Sequence, residues 1–287
     1  MKKPADSIVI IAPHPDDESL GCAGVILRAK RSGGRVRVIF LTNGDGFAKA
    51  AAALSGKEMG ALGPVDFLEV GRVRQQNALD AARMLGLVPG DLVFLGYPDT
   101  GLAAMKTATA GDPFTQTCTG MNHTYGLIFP DYHTRRHGIP ASYCWEAARD
   151  DLAELLRSFQ PRDIYVTDAA DGHGDHAAAF DLVRDAAVAA AFHGELYTYL
   201  IHGRGGTWPW PRGAAPDGAF EAHEENGHQV PVGIAWPPDE RRALGPEEIV
   251  LKHAAIRAYS LEMQLASHYV ESFVKSEEIF WRRNLKH

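Results

Sequence analysis

Residues 8–11, Ile-Val-Ile-Ile, form a β-branched run with no polar gap. Such a run suits a strand buried on both faces of a parallel sheet. It stops at Ala12-Pro13. Beyond a short polar stretch, Val25, Ile26 and Ala29 recur at helical spacing over residues 21–30. The alternation then repeats. Residues 35–42 read as a second strand ending in the turn-forming Asn43-Gly44-Asp45-Gly46. Residues 47–63 have weak periodicity, suited to a loop with a short helix. Residues 71–87 carry Val73, Ala78, Ala81, Ala82 and Leu85 on one helical face and close at Gly86. Strands are predicted at 91–96, 162–167 and 195–201, and helices at 143–159 and 177–192. Strands alternating with helices predict an α/β fold: a mostly parallel sheet flanked by helices, with right-handed crossovers.

Two long stretches break the rhythm. Residues 102–141 have little regular pattern, and so long a connection is uncommon in a compact domain. The stretch leaves the carboxyl end of a strand, the edge where open α/β sheets bind ligands. It holds Thr115, Thr117, Asn122, His123, Tyr125, Tyr132, His133 and Arg135. We expect it to wall or cover a site there. Residues 203–246 are rich in Gly, Pro and Trp and read as a surface excursion, with Val230-Pro-Val-Gly-Ile as an edge strand. Residues 246–272 read as a long helix that breaks near Ser267. The expected organisation is one domain over residues 1–287, with a core at about 7–202.

Composition narrows the classes. The net charge is −7, and no basic tract is interleaved with aromatics, which argues against a nucleic-acid partner. No stretch reaches the length of a membrane span, and no signal-peptide pattern precedes the first strand. Three widely spaced cysteines, Cys22, Cys118 and Cys144, do not form a disulfide framework. A cytoplasmic protein is expected, and a homo-oligomer is compatible with this composition.

The candidate chemistry lies in two βα turns. After the first strand come His14, Asp16, Asp17 and Glu18. Adjacent carboxylates repel one another, and a divalent cation relieves that repulsion. After the strand at 162–167 come Asp171-Gly172-His173-Gly174-Asp175-His176. The two turns together offer His14, Asp17 and His176 as three protein ligands. Three ligands with one open position is the usual catalytic zinc arrangement, and the ligand types also suit Fe2+ or manganese. A bound ion brings the pKa of a coordinated water to about 7, and a neighbouring non-ligand carboxylate such as Asp16 can accept its proton.

Pro13-His14-Pro15-Asp16-Asp17-Glu18 and His173-Gly174-Asp175-His176 resemble the two signature motifs of the LmbE-like or PIG-L deacetylases. Residues 42–46 and 95–99 resemble the family's intermediate turns, and the likeness spans roughly residues 7–195. It implies a Rossmann-like fold and a zinc-dependent N-deacetylase acting on an N-acetylglucosamine-type sugar or glycoconjugate. By resemblance, His14, Asp17 and His176 bind Zn2+ (or another divalent such as Fe2+), and Asp16 is the general base. His173 is a protonated partner for the oxyanion or leaving amine, oriented by Asp175. Arg74 and Asp99 contact substrate. The chain departs from the family at Asn77, where many members have Glu, and at Asp171, where some have Tyr. Residues 102–141 are longer than in small members.

Blander roles stand beside these. Glu18 suits a first-turn carboxylate facing the helix dipole, and Asp175 a helix cap. Arg74 suits a solvated helix face, and Asp99 a turn. Trp208, Trp210 and Trp236 suit either a sugar-stacking platform or burial under a loop. Two other functions compete: a metallohydrolase of another amide or ester at the same site, and a non-catalytic small-molecule-binding module. The first turn lacks G-x-G-x-x-G, and its acids would repel a pyrophosphate, which weighs against a nucleotide.

Overall fold

The computed structural model describes residues 7–285. The chain runs β1 (Ser7–Ala12), α1 (Asp17–Arg31), β2 (Arg35–Thr42), α2 (Ala48–Ser55), α3 (Pro64–Met84) and β3 (Leu92–Tyr97). It continues through α4 (Tyr132–His137), α5 (Trp145–Phe159), β4 (Asp163–Thr167), α6 (Gly174–Ala189) and β5 (Glu195–Tyr199). Last come β6 (His223–Glu225), β7 (His228–Val230), β8 (Glu240–Ala243), α7 (Pro246–Ala258), α8 (Ser260–Val270) and β9 (Glu277–Arg283).

Seven strands form one sheet in the order β3-β2-β1-β4-β5-β9-β8. The first five are parallel, and β9 and β8 extend the sheet antiparallel at one edge. Alternate residues of β1 feed two cores. Ile8, Ile10 and Ala12 pack with Ile26, Leu79 and Ile256 from α1, α3 and α7. Val9 and Ile11 pack with Leu152 and Leu182 from α5 and α6. Helices therefore cover both faces, and this is why β1 carries no polar residue between Ile8 and Ala12. β1 pairs with β2 on one side and β4 on the other. Successive crossovers leave it in opposite directions, so a crevice opens between the carboxyl ends of β1 and β4, the switch point of such sheets. The two predicted turns meet there.

The C-terminal third differs from expectation. β8 and β9 lie outside the predicted elements, because β8 is the polar run Glu-Arg-Arg-Ala. Its Arg242 guanidinium lies over the Tyr165, Tyr197 and Phe280 rings and donates to the Tyr165 hydroxyl at 2.7 Å, so a charged residue seats the strand. Of the expected edge strand at 230–234 only Val230 lies in a strand, as the last residue of β7, which forms a two-stranded ribbon with β6. The expected long helix is two helices broken at Tyr259, whose hydroxyl turns inward to Glu18 at 2.6 Å. A second kink, at Ala266, lies beside the predicted break. α3 begins earlier than read, at Pro64, with the Asp66 carboxylate accepting from Gly63 N–H at 2.9 Å. Among the described residues no helix is long and apolar enough to cross a membrane, and Cys22, Cys118 and Cys144 are free.

The 102–141 stretch folds onto the end of β3. Just beyond it, Tyr143 donates from its hydroxyl to Gly96 O at 3.1 Å. Gly96 has φ +75, and a Cβ there would lie 2.6 Å from the Tyr125 carbonyl. Glycine is needed at this position both for the backbone conformation and for the close approach.

Candidate metal centre

The chain turns sharply after Pro13. Asp16 has φ 134 and ψ −30, a conformation that L-residues rarely adopt and that costs on the order of 1–3 kcal/mol. Asp17 then opens α1, where the helix dipole favours a carboxylate. The His14 backbone N–H donates to Asp17 Oδ2 at 2.9 Å, tying the turn to the helix.

Three donor atoms converge. His14 Nδ1 is 3.0 Å from His176 Nε2 and 3.5 Å from Asp17 Oδ2. His176 Nε2 is 3.3 Å from the same Asp17 oxygen. Ligands at about 2.0–2.2 Å from a tetrahedral ion stand roughly 3.4 Å apart, so the triangle has the right size. The far nitrogen of each imidazole faces carboxylate. His14 Nε2 lies 3.1 Å from Asp99 Oδ1 and 3.3 Å from Asp175 Oδ2. His176 Nδ1 lies 3.3 Å from Asp171 Oδ2, a charge contact off the hydrogen-bond angle. Ring hydrogens placed on those far nitrogens leave both lone pairs aimed at the triangle, the usual backing of metal-ligating histidines. The donor set fits a divalent ion.

Electrostatics agree. Burial opposes ionisation of Asp17, but His176 and His14 outweigh it and hold the carboxyl well below its usual range. Burial would depress His14, yet carboxylates, with Asp99 foremost, keep its pKa raised. Asp16 differs from its neighbour. Burial lifts its pKa well above the usual range against the pull of Arg74.

Asp175 does not grip the His173 ring with its carboxylate. Its oxygens accept from Thr100 N–H at 2.6 Å and Leu102 N–H at 3.0 Å. Its own backbone N–H donates to His173 Nδ1 at 3.3 Å, so His173 caps α6. That bond leaves the hydrogen of a neutral His173 on Nε2. Burial, followed by the charges of His14 and His176, pulls His173 down to about 4.

Arg74 is buried rather than on a solvated face. It donates to Pro15 O at 2.8 Å, Gly44 O at 3.0 Å and Asp16 Oδ1 at 3.1 Å. Its Nε lies 2.7 Å from Glu262 Oε1. Gly44 has φ +67, and a side chain there would strike the guanidinium. Asp99 backs His14, accepts from Gly46 N–H at 2.6 Å and borders the pocket.

The pocket is about 270 Å³ and is bordered by Asp16, Asp17, Phe47, His173, Glu262 and Tyr269, among others. Its wall comes from α8 and the turn after β5. Among its described lining residues none belongs to 102–141, so that stretch is not the expected wall. It acts from behind instead. Gln116 donates to Asp45 Oδ1 at 2.9 Å and to Asp99 O at 3.1 Å, and the Tyr125 hydroxyl donates to Asp45. Trp208 is buried and stacked on Phe220, Glu18 is sealed against Tyr259, and Asn77 accepts from Ser260 at the α7–α8 break.

Asp171, His202, Glu262 and Tyr269 are site residues that sequence reasoning missed. The Asp171 carboxylate is fixed by the N–H groups of His173, Ile201 and His202 at 2.9–3.0 Å. Its place two residues before His173 was a readable signal for a carboxylate backing a ligand. Burial depresses His202 to about 3, and its Nδ1 is 2.9 Å from the Tyr269 hydroxyl. Glu262 and Tyr269 sit on a helix with no motif around them.

Known proteins are similar to this chain in sequence and in fold. The family described as PIG-L, GlcNAc-PI de-N-acetylase, matches residues 9–187. The 1D-myo-inositol 2-acetamido-2-deoxy-alpha-D-glucopyranoside deacetylase 1 of Saccharopolyspora erythraea is 27% identical over 186 residues, which is 63% of this chain and 53% of that protein. The chain thus spans about half the length of this curated relative. A conserved protein of Thermus thermophilus superposes with TM-score 0.55 at 21% identity, over 98% of this chain and 96% of its own. The N,N'-diacetylchitobiose deacetylase of Pyrococcus horikoshii superposes with TM-score 0.57 at 17% identity, over 98% of this chain and 85% of its own. At these identities the two structures share the fold.

Proposed function

Because the chain belongs to the PIG-L (GlcNAc-PI de-N-acetylase) family, we propose that it is a metal-dependent deacetylase that hydrolyses the acetamide of an N-acetylglucosamine-type sugar or glycoconjugate. The observation that carries this reading is the triangle of His14, Asp17 and His176 with a carboxylate behind each imidazole. Those three residues would hold the ion, with zinc favoured by ligand type. Such an ion supplies Lewis acidity toward the amide carbonyl and lowers the pKa of water.

The remaining chemistry belongs to side chains. Asp16 is not one of the three ligands, and its raised pKa suits a general base near neutral pH. It takes a proton from the attacking water and passes it to the departing amine as the C–N bond breaks, giving acetate and free amine. His173 donates from Nε2 toward the carbonyl oxygen as negative charge develops there. Arg74 holds Asp16 in place. A cavity of about 270 Å³ lies near the small end of ligand pockets, which suits one sugar ring with the remainder of a conjugate outside. Asp99 and Glu262 are the polar groups available to sugar hydroxyls.

The test incubates metal-loaded protein with N-acetylglucosaminyl-inositol, N,N'-diacetylchitobiose and simple acetate esters, measuring free amine and acetate. Equal amounts of amine and acetate from an amino sugar are expected. Acetate from esters with no amine from any acetamide would assign the site to another hydrolysis.

A further inference from the structure

We propose a second divalent-cation site, outside the lining of the pocket, formed by His133 and His137 of α4 with Asp151 and Glu154 of α5. The two histidines are four residues apart and share a helix face, and their ring centroids are 4.5 Å apart. The two carboxylates, three residues apart on α5, face them. His133 Nδ1 is 2.7 Å from Asp151 Oδ1, and His137 Nε2 is 3.1 Å from Glu154 Oε2. Ligand atoms of His133, His137 and Asp151 all lie within 4.8 Å of one another. That spread closes onto one ion with small rotations of two partly exposed rings.

The surroundings of Asp151 suit an ion, while Glu154 is shared with Arg136, whose Nε lies 2.6 Å from Oε1. Asp151 is 2% exposed, and its second oxygen accepts from the Tyr97 hydroxyl at 2.7 Å, the outer-shell bond that usually fixes a ligating carboxylate. His137 and Glu154 reach solvent, which gives an entry path. Two imidazoles and two carboxylates suit Zn2+, Ni2+ or Cu2+ over Ca2+ or Mg2+. An ion there joins α4 to α5 and so fastens the 102–141 stretch, whose Gln116 and Tyr125 hold Asp45. The role is structural and stands whether or not the deacetylase reading does.

The experiment uses the full chain stripped of metal and titrated with zinc, with bound metal counted per chain and thermal midpoints recorded. Wild type should take up two ions. His14→Ala should keep one, together with a zinc-dependent rise in midpoint. His133→Ala/His137→Ala should retain one ion, and the same pair of changes in the His14→Ala background should lose that rise. Glu154→Gln, a milder change at a half-exposed position, should weaken the second uptake about tenfold or more. Equal zinc uptake by wild type and by a folded His133→Ala/His137→Ala protein overturns the proposal.

Discussion

Glu262 Oε1 lies 2.7 Å from Arg74 Nε, and the far end of the same guanidinium lies 3.1 Å from Asp16 Oδ1. A residue near the C-terminal end thereby sets the surroundings of one in the first turn. All three side chains are largely removed from water. With Glu262 neutralised, Arg74 is free to pull harder on Asp16 and make it a weaker base. Glu262→Gln should lower kcat about tenfold, as Asp16 becomes the weaker base. Glu262→Ala also leaves a buried cation less compensated and should cost up to about 3 kcal/mol of stability. Steady-state kinetics and urea denaturation check both, and unchanged kcat in both variants removes the link.

Metal content should follow the triangle. His176 is fully buried and Asp17 nearly so, so no solvent group can substitute for either. His176→Ala and Asp17→Ala should each lose most pocket-bound metal and, with the activated water gone, at least about 10³-fold in activity. Metal analysis after gel filtration is the check, and a His14, Asp17, His176 triple variant with undiminished pocket metal would mean that these are not the ligands.

Asp16→Asn should retain the ion while turnover falls by about 10²–10⁴, the usual range for a general base. Since burial raises the pKa of Asp16, kcat/KM should climb with pH along a limb above the ordinary carboxylate range, as the base loses its proton. The Asn variant should lack that limb. His173→Gln should cost about 10²–10³ in kcat, the scale of one oxyanion donor. It should leave the limb in place, because His173 already lies near 4.

Asp45 supplies a stability prediction. Burial, followed by the charge of Asp99, raises its carboxyl to about 7. The folded state then binds this proton more tightly than the unfolded chain does. Between about pH 4 and 7 folding is therefore weakened as pH rises, and the loss is complete above pH 7. About three units correspond to an upper bound of about 4 kcal/mol. Asp45→Asn keeps one acceptor, for Gln116, and turns an amide N–H toward the Tyr125 hydroxyl oxygen; it should raise the thermal midpoint at pH 8 more than at pH 5. An equal change at both pH values contradicts the shift.

The sheet from β1 to β5 was legible because its strands are apolar runs and its helices have clear periodicity. The ligand triangle was legible because its residues cluster in two turns next to such strands. Other features carried no local signal. β8 is held by Arg242 on three rings, a tertiary contact that no propensity encodes. The helix break at Tyr259 exists because a hydroxyl finds Glu18, 241 positions away. Glu262 gains its role only from what α3 places opposite it. The 102–141 stretch was polar enough to suggest a lid, but its polar groups bond to Asp45 and Asp99 from behind.

Strand β9 lies between β5 and β8, though it is translated after both. Until residues 277–283 leave the ribosome, β5 presents a bare parallel edge, and α8 has no anchored strand after it. Nascent chains that stall before this segment should carry an edge open to pairing with other chains. A lesion in Glu277–Arg283, which holds none of the proposed ligands, should therefore appear in cells as insoluble protein rather than as an impaired catalyst.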